Sequence, residues 1–264
     1  MGRTTCPPFL FKQMKFIDYL KDKITRYDDT HNFTCDNCGR ELFDGRRLCE
    51  TCREELPYNS GKICPFCGRR VREEGTCLDC KQKPLGVEKA RSLFLYEGDA
   101  ANLIRAFKSG KKYLYRTFVE GMLPIVEKEF GQADAVTFVP MTRKAQRRRG
   151  YNQSLLLAEG ICRATGKALV SAVEKKRENA DQRVLTRQER EENMKNVFAV
   201  TDKAQVKDKR ILIVDDTLTT GATASALAEV LKKAGATAVY LITVASVEKQ
   251  APFGYKSEAE IPVK

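Results

Sequence analysis

The stretch ILIVDDTLTTGAT, residues 211–223, contains four aliphatic residues, two adjacent acids, and then hydroxyl side chains around one glycine. Four consecutive aliphatic residues without alternation predict a strand that is buried on both faces, as in parallel sheets. Residues 222–234 carry Ala, Leu and Val at helical spacing and end before Gly235, which predicts a helix. The order is therefore strand, loop and helix, with both acids at the carboxyl end of the strand.

A loop in this position is suited to binding a phosphate. In open α/β sheets, ligands bind outside the carboxyl ends of the strands, and a helix N-terminus offers backbone amides and a favourable dipole to an anion. Asp215 and Asp216 would accept hydrogen bonds from sugar hydroxyls. The residues expected to surround the phosphate are Thr219, Thr220, Gly221, Ala222 and Thr223.

Three other interpretations of this stretch are possible. A Walker B strand requires a G-x-x-x-x-G-K-[ST] loop elsewhere, and the nearest approach, residues 160–167, has one residue too many and lacks the hydroxyl. A response-regulator acid pair would leave the TTGAT segment unexplained. An ordinary strand followed by a helix, with no ligand, is the purely structural alternative.

The bulk properties favour a globular, non-membrane protein. The chain has 264 residues, enough for one α/β core and a smaller module, and a formal net charge of +12. No stretch approaches 18 apolar residues, and the first 20 residues lack the apolar core of a signal peptide. We therefore expect a cytoplasmic protein without a membrane span. An amphipathic piece at residues 9–20 is a candidate docking helix or a cover for the cysteine-rich region.

Eight of the ten cysteines fall into four C-x-x-C pairs, which in a reducing compartment indicates structural zinc. The two remaining cysteines, Cys6 and Cys162, are expected to be a free thiol and a core residue. The predicted zinc ligands are Cys35, Cys38, Cys49, Cys52, Cys64, Cys67, Cys77 and Cys80.

The pairs also form a repeat, because CDNCGREL and CPFCGRRV each begin a unit that ends in a second C-x-x-C. The duplication predicts two zinc ions, one in each copy, with four thiolates closing each coordination sphere. A cross-braced arrangement, with the first pair joined to the third, is the alternative. Two tetrathiolate sites would lower the net charge from +12 to roughly +8.

Two segments without acids carry much of the positive charge. Residues 103–116 (LIRAFKSGKKYLYR) and 142–154 (TRKAQRRRGYNQS) each contain five Lys or Arg side chains together with tyrosines. Both could be solvated helix faces, but basic residues interleaved with aromatic residues are also typical of a groove for single-stranded nucleic acid. The candidates for such contacts are Lys108, Lys111, Lys112, Tyr113, Arg147, Arg148, Arg149 and Tyr151.

The stretch at 211–223 resembles the phosphoribosyl diphosphate (PRPP) motif of type I phosphoribosyltransferases. More broadly, the chain resembles the ComF family of competence-associated proteins. The resemblance is carried by the four C-x-x-C pairs, IRAFK at 104–108, Val139-Pro140, RRGYNQS at 148–154, the spaced residues Gln182, Leu185, Arg187, Arg190, Asn193 and Phe198, and the PRPP motif itself.

The resemblance implies a parallel α/β sheet flanked by helices, preceded by a small cysteine-rich zinc module. It implies that Asp215 and Asp216 hold the ribose hydroxyls of PRPP, that the 219–223 loop holds the 5′-phosphate, and that Thr217 is also a PRPP-binding residue. Arg143 and Lys144 would stabilise the departing diphosphate, with magnesium bound alongside PRPP. Gln182, Arg187, Arg190 and Asn193 would belong to a hood that closes over the ligand.

The expected organisation is an N-terminal helical segment (1–34), a double zinc module (35–83), a phosphoribosyltransferase-like domain (84–247) and a tail (248–264). The family resemblance implies a role in natural transformation, with single-stranded DNA and other DNA-uptake or recombination proteins as partners. Two alternatives stay open: a non-catalytic adaptor that binds single-stranded DNA, and a salvage phosphoribosyltransferase for a free base. No base-specificity pocket is evident in the sequence.

Overall fold

The computed structural model describes residues 33–176 and 197–248. The chain divides into two compact units, Met1–Glu54 and Glu55–Lys264. The segment at 9–20 and Cys6 lie outside the described residues, as do Gln182, Leu185, Arg187, Arg190 and Asn193. Within the described ranges, no helix is both long and apolar enough to cross a membrane.

The larger unit is built on a five-stranded sheet in which every pair of neighbours is parallel, which confirms the predicted α/β class. The strands are β1 Lys89–Leu95, β2 Ala135–Phe138, β3 Ala168–Leu169, β4 Val173–Lys175, β5 Phe198–Val200, β6 Arg210–Leu218 and β7 Ala238–Ser246. The order across the sheet is β1-β7-β6-β2-β3, and β4 and β5 form a separate antiparallel pair.

Helices flank this sheet. The helices are α1 Glu50–Glu55, α2 Leu78–Gln82, α3 Gly98–Lys108, α4 Tyr115–Phe130, α5 Arg143–Arg149, α6 Gln153–Thr165 and α7 Ala222–Lys233. The α4 and α6 helices pack against each other and against strands of the sheet, and α7 packs on β5 and β7. Short 3-10 turns occur at Lys112–Leu114 and Lys203–Gln205.

The central strand β6 is buried on both faces, as its uninterrupted aliphatic run predicts. Ile211 and Ile213 share a core with Leu227 of α7. Leu212 and Val214 are also fully buried, and they face the other side because successive strand residues point to opposite faces. The predicted helix at 222–234 is confirmed as α7, which ends one residue earlier.

The first cysteine group, Cys35, Cys38, Cys49 and Cys52, lies in the smaller unit with its sulfur atoms within 4.8 Å of one another. The Cys49 amide donates to the Cys35 sulfur at 3.4 Å, and the Cys52 amide donates to the Cys49 sulfur at 3.5 Å. Four sulfurs at this separation fit a tetrahedral zinc ion, and backbone donors of this kind stabilise thiolates.

The second cysteine group, Cys64, Cys67, Cys77 and Cys80, has the same compact arrangement within the larger unit. The ligands are therefore grouped copy by copy, and the cross-braced alternative is not what the structure shows. Three of these cysteines belong to the same buried cluster as strand residues Ile211 and Ile213. The second copy is thus part of the core beneath the parallel sheet.

The thiols of the second group differ in acidity. Burial raises the pKa of the Cys80 thiol to about 12. Burial also acts on Cys64, but backbone N–H groups of Cys67, Cys77 and Phe66 donate to its sulfur and lower its pKa to about 7. Zinc binds thiolates, so zinc binding at this site must release protons, and the affinity for zinc must fall at low pH.

The turn at residues 64–69, which we call the knuckle of the second copy, covers the outer edge of β1. The Ala90 amide donates to the Phe66 carbonyl at 2.6 Å, and the Asn59 side-chain amide donates to the Gly68 carbonyl at 2.7 Å. Gly68 has φ +67°, and a Cβ there would lie 2.5 Å from the Ala90 carbonyl oxygen. Only glycine fits both the conformation and the contact, so the knuckle protects an edge strand that would otherwise be open.

The different settings of the two groups generate a prediction. We expect about two zinc ions per chain, with Cys35→Ser and Cys64→Ser each removing about one. The Cys64→Ser variant should also lower the melting temperature of the larger unit, because its zinc site shares that unit's core, whereas Cys35→Ser should change that transition much less. Elemental analysis combined with calorimetry measures both effects. One ion per chain in the wild type would contradict the two-site assignment.

Candidate phosphate-binding site

The acid pair, Asp215 and Asp216, lies near the carboxyl end of β6, where the strand is still paired with β7 through Asp215 and Thr243. After Leu218, residues 219–221, the phosphate loop, lead directly into α7, so Ala222 and Thr223 of the predicted 219–223 loop lie in the first turn of that helix. Gly221 adopts φ +83° at the N-cap and has no side chain to cap the helix, and the Thr220 hydroxyl accepts a hydrogen bond from the Ala222 amide at 3.3 Å. The other amides of the first turn of α7 can donate to an anion, as the sequence predicts.

Asp215 is held by two donors. The Ser154 hydroxyl donates to Asp215 Oδ1 at 2.9 Å, and the Asp216 amide donates to the same oxygen at 2.9 Å. Burial, followed by the negative charge of Asp216, raises the pKa of Asp215 to about 7, and the Ser154 hydrogen bond partly offsets that rise. Asp215 is thus poised to change protonation near neutral pH.

Asp216 is paired with Lys108, the last residue of α3. Lys108 Nζ lies 3.2 Å from Asp216 Oδ1 and 3.3 Å from the Thr217 hydroxyl, and both charged side chains are largely shielded from solvent. The sequence suggested Lys108 as a nucleic-acid contact. The structure places Lys108 next to the acid pair, where its positive charge neutralises the carboxylate of Asp216.

The segment 151–154 connects three parts of the fold around the site. The Tyr151 hydroxyl donates to the Phe107 carbonyl of α3. The Asn152 side chain donates to the Val139 carbonyl after β2 at 3.1 Å, and it also caps α6. Ser154 contacts β6 through its hydrogen bond to Asp215. This segment therefore fixes the positions of α3 and β2 relative to β6.

The two basic segments lie side by side. Lys112 Nζ is 5.1 Å from the centre of the Tyr151 ring, and the Tyr151 hydrogen bond joins the same two segments. Tyr113 is 39% exposed. Together with Tyr113, seven exposed basic side chains of the two segments form what we call the basic surface: Lys111, Lys112, Arg143, Lys144, Arg147, Arg148 and Arg149.

Tyr151 differs from the stacking position that the sequence suggested. It is only 6% exposed, packs against Phe107 with ring centres 5.8 Å apart, and has Lys112 over its ring. A base therefore has no open face on which to stack. The reason is the tertiary hydrogen bond to Phe107, which draws the ring inward.

Three features of the site were not predicted from the sequence: the roles of Ser154 and Lys108 at the acid pair, and the contact of Arg69 with the phosphate loop. Ser154 and Lys108 lie within the RRGYNQS and IRAFK stretches, which carried the family resemblance, and this was the available signal. Arg69, in the second zinc knuckle, donates to the carbonyl of Thr219 in the phosphate loop. The C-x-x-C-G-R repeat pointed to metal binding alone and gave no indication of this contact.

The acid pair fits magnesium only as part of a ligand complex. Among the described residues, the groups able to enclose a metal with three or more His, Cys, Asp or Glu ligands are the two cysteine groups. Mg²⁺ commonly uses one or two carboxylates together with substrate phosphates and water. Asp215 and Asp216 could supply the carboxylates of such a site, and the ligand's phosphates and water would supply the other oxygens.

Comparison with known proteins gives independent support for this architecture. A double zinc ribbon domain family matches residues 32–81, and a phosphoribosyl transferase domain family matches residues 152–261. The two matches correspond to the cysteine groups and to the segment that contains the acid pair, the phosphate loop and α7.

Relatives match across both regions. Competence protein F of Haemophilus influenzae is 26% identical over 214 residues, covering 77% of this chain and 93% of the relative. The DNA utilization protein YhgH of Escherichia coli K12 is 28% identical, covering 73% and 93%. Competence protein ComFC of Bacillus subtilis is 25% identical, covering 77% and 86%. The chain is therefore similar, over about three quarters of its length, to proteins named for competence and for DNA utilization, and it combines a double zinc ribbon with a phosphoribosyltransferase-like domain.

Proposed function

We propose that the protein binds PRPP or a nucleotide phosphate with magnesium, and acts in the cytoplasm on imported single-stranded DNA during natural transformation. The observation that carries the ligand proposal is the arrangement at β6, where two carboxylates precede a short loop and the amino end of α7. Relatives named for competence and for DNA utilization support the biological setting.

Asp215 and Asp216 would accept hydrogen bonds from the ribose hydroxyls. Since acceptors must be ionised to use all their lone pairs, ligand binding would favour the deprotonated form of Asp215. Lys108 would hold Asp216 in place and reduce the repulsion between the two carboxylates. Ser154 would orient Asp215 in the same way.

The phosphate groups would occupy opposite ends of the site. The 5′-phosphate would meet the amides at the start of α7, together with the hydroxyls of Thr219, Thr220 and Thr223. Arg143 and Lys144, exposed at the beginning of α5, would stabilise the diphosphate as it leaves. Magnesium bound to the diphosphate would neutralise part of its charge.

The basic surface borders this site and would bind single-stranded DNA. Its two segments are joined through Tyr151 and reach the acid pair through Lys108 and Ser154. A DNA backbone on this surface would therefore lie next to the bound PRPP or nucleotide. Other DNA-uptake or recombination proteins would be reached through the rest of the chain.

The two alternatives have different structural support. A non-catalytic adaptor would keep the phosphate site and the basic surface, so the same geometry supports it. Salvage of a free base has less support, because no base-specificity pocket is evident in the sequence. Mass-spectrometric tracking of PRPP, with and without single-stranded DNA and candidate bases, separates the enzymatic possibilities from the adaptor.

The first prediction from this proposal concerns the phosphate loop. PRPP with magnesium should raise the melting temperature, because a ligand that binds only the native state stabilises it by about 2.7 kcal/mol at 100 times its Kd. Gly221→Val should abolish that response, since Gly221 has φ +83° and carries the N-cap of α7. Gly166→Val is the matched control, with φ +70° and open space around it at the far end of α6. A full response in Gly221→Val would place the phosphate elsewhere.

The second prediction concerns pH. A folded pKa of about 7 for Asp215 lies above the value of about 4 expected unfolded. Its protonation therefore stabilises the fold below about pH 4, and this contribution is lost as pH rises through 7. PRPP affinity should change in the opposite direction and rise through pH 7, because the ligand selects the carboxylate.

Titration calorimetry between pH 5.5 and 8.5 measures this effect. Ser154→Ala should move the midpoint to higher pH, because the variant lacks the hydrogen bond that lowers the pKa of Asp215. Asp215→Asn should remove the step while retaining the pH dependence that the ligand's own phosphates contribute. An identical midpoint in wild type and Ser154→Ala would contradict the assignment.

The third prediction concerns DNA. Each neutralised phosphate contributes about 0.7 to the salt slope for a single strand, so replacing Arg147, Arg148 and Arg149 with Ala should reduce the slope by about two units. Affinity should fall about equally for all sequences. Tyr113→Ala should weaken binding by about 1–3 kcal/mol with little change in slope.

Replacing Lys203, Lys207 and Lys209 with Ala is the matched control. These residues precede the amino end of β6, at the opposite edge of the sheet from the acid pair. Fluorescence anisotropy at several salt concentrations measures the slopes. If the arginines serve only diphosphate, their variant will lose PRPP affinity and bind DNA normally, which would contradict the DNA proposal for this surface.

A further inference from the structure

Arg69 is a buried charged side chain that the proposed chemistry leaves unexplained. It is 5% exposed and follows directly after the Cys67-Gly68 knuckle. Its Nη1 donates to the Asp79 carboxylate at 3.1 Å, and its Nη2 donates to the main-chain carbonyl of Thr219. Arginine is almost never fully buried unless it is paired, so this position requires a reason.

Two hydrogen bonds hold Arg69 within the second zinc ribbon, one to its main chain and one from its side chain to Asp79. Its own carbonyl accepts from the Cys64 amide at 2.8 Å, which closes the knuckle. Asp79 lies between the ligands Cys77 and Cys80, on the short helix α2. The guanidinium is therefore fixed at one end by the ribbon and reaches the phosphate loop with the other. The negative charge of a loaded tetrathiolate site would further stabilise it.

The contact with Thr219 determines the direction of the next amide. A trans peptide is planar, so its carbonyl and its N–H point in opposite directions, and the described residues contain no cis peptide. Directing the Thr219 carbonyl toward Arg69 turns the Thr220 N–H away from the ribbon. A loop held in one conformation before binding loses less entropy when a ligand arrives.

A second contact joins the ribbon side to the same loop. Leu85, just beyond the ribbon, packs on the inner side of Gly221, where a Cβ would come within 2.0 Å of its side chain. The Ser225 hydroxyl of α7 donates to the Leu85 carbonyl at 2.7 Å. The loop is therefore supported at Thr219 by hydrogen bonding and at Gly221 by packing.

We propose that Arg69 is a positioning residue for the phosphate loop, and that the second zinc ribbon is thereby a working part of the phosphate-binding site. The ligand class is a sugar 5′-phosphate, which fits a loop with oriented amides and a buried cation behind it. This inference rests on the proposed PRPP function.

The test compares Arg69→Met and Arg69→Lys with Arg70→Gln, a matched control at the exposed neighbouring arginine. Titration with PRPP should show about ten- to hundredfold weaker binding for Arg69→Met, the range expected for a lost hydrogen bond from a charged group. Arg69→Lys should recover part of the affinity, because it keeps the charge and one donor. Arg70→Gln should bind like wild type. Zinc content of about two ions must persist in each variant compared.

Hydrogen exchange gives a readout that needs no ligand. Two hydrogen-bonded amides where the loop enters α7 should exchange about tenfold faster in Arg69→Met than in wild type, while the Cys64 amide in the knuckle stays protected. They are the Ala222 amide, which donates to the Thr220 hydroxyl, and the Ser225 amide, which donates to the Gly221 carbonyl. If Arg69→Met loses zinc, Arg69→Lys and Asp79→Asn replace it, since each weakens the link while retaining the cysteines. Their loop amides should exchange at rates between those expected for wild type and Arg69→Met.

The outcomes separate this inference from the proposed function. A wild type that binds no PRPP, together with faster exchange in the variants, would contradict the PRPP function and retain the positioning role. Wild-type PRPP affinity and unchanged loop exchange in zinc-loaded Arg69 variants would overturn the inference.

Discussion

The rest of the site depends on one electrostatic constraint: two adjacent carboxylates must lie near the end of a buried strand. Desolvation and mutual repulsion both act against the charged pair, and Asp215 responds with a pKa of about 7. Lys108 supplies a neutralising charge to Asp216, and Ser154 supplies a hydrogen bond to Asp215. These supporting residues come from α3 and α6, so the acid pair requires both helices to be positioned correctly.

The parallel sheet provides that positioning. Because neighbouring parallel strands end at the same edge, β2 and β6 deliver their following segments to one place. Segment 151–154 then uses consecutive side chains for different tertiary contacts, with α3 through Tyr151, with the end of β2 through Asn152, and with β6 through Ser154. Tyrosine burial at this point is a requirement of the scaffold, which explains why an aromatic residue in a basic segment is not available for stacking.

The parts predictable from the sequence are those that depend on local pattern. The aliphatic run of β6, the α7 helix and the grouping of cysteines by copy follow from burial on two faces, helical spacing and duplication. The contacts of Lys108, Ser154 and Arg69 could not be predicted in this way. They join residues separated by 108, 61 and 150 positions, and local propensity contains no information about such pairs. The burial of Tyr151 could not be predicted either, because the exposure of a side chain depends on its tertiary contacts.

The two zinc ribbons show how equivalent sequence can acquire different roles. Gly39 and Gly68 occupy the same place in the repeat and have similar conformations, with φ +74° and +67°. A Cβ at Gly39 would meet no described atom within 4 Å, whereas one at Gly68 would collide with the Ala90 carbonyl of β1. The first glycine is required by backbone conformation alone, and the second also by close contact with the sheet. Duplication therefore supplied two similar metal modules, and packing of the second against β1 allowed its next residue, Arg69, to reach the phosphate loop.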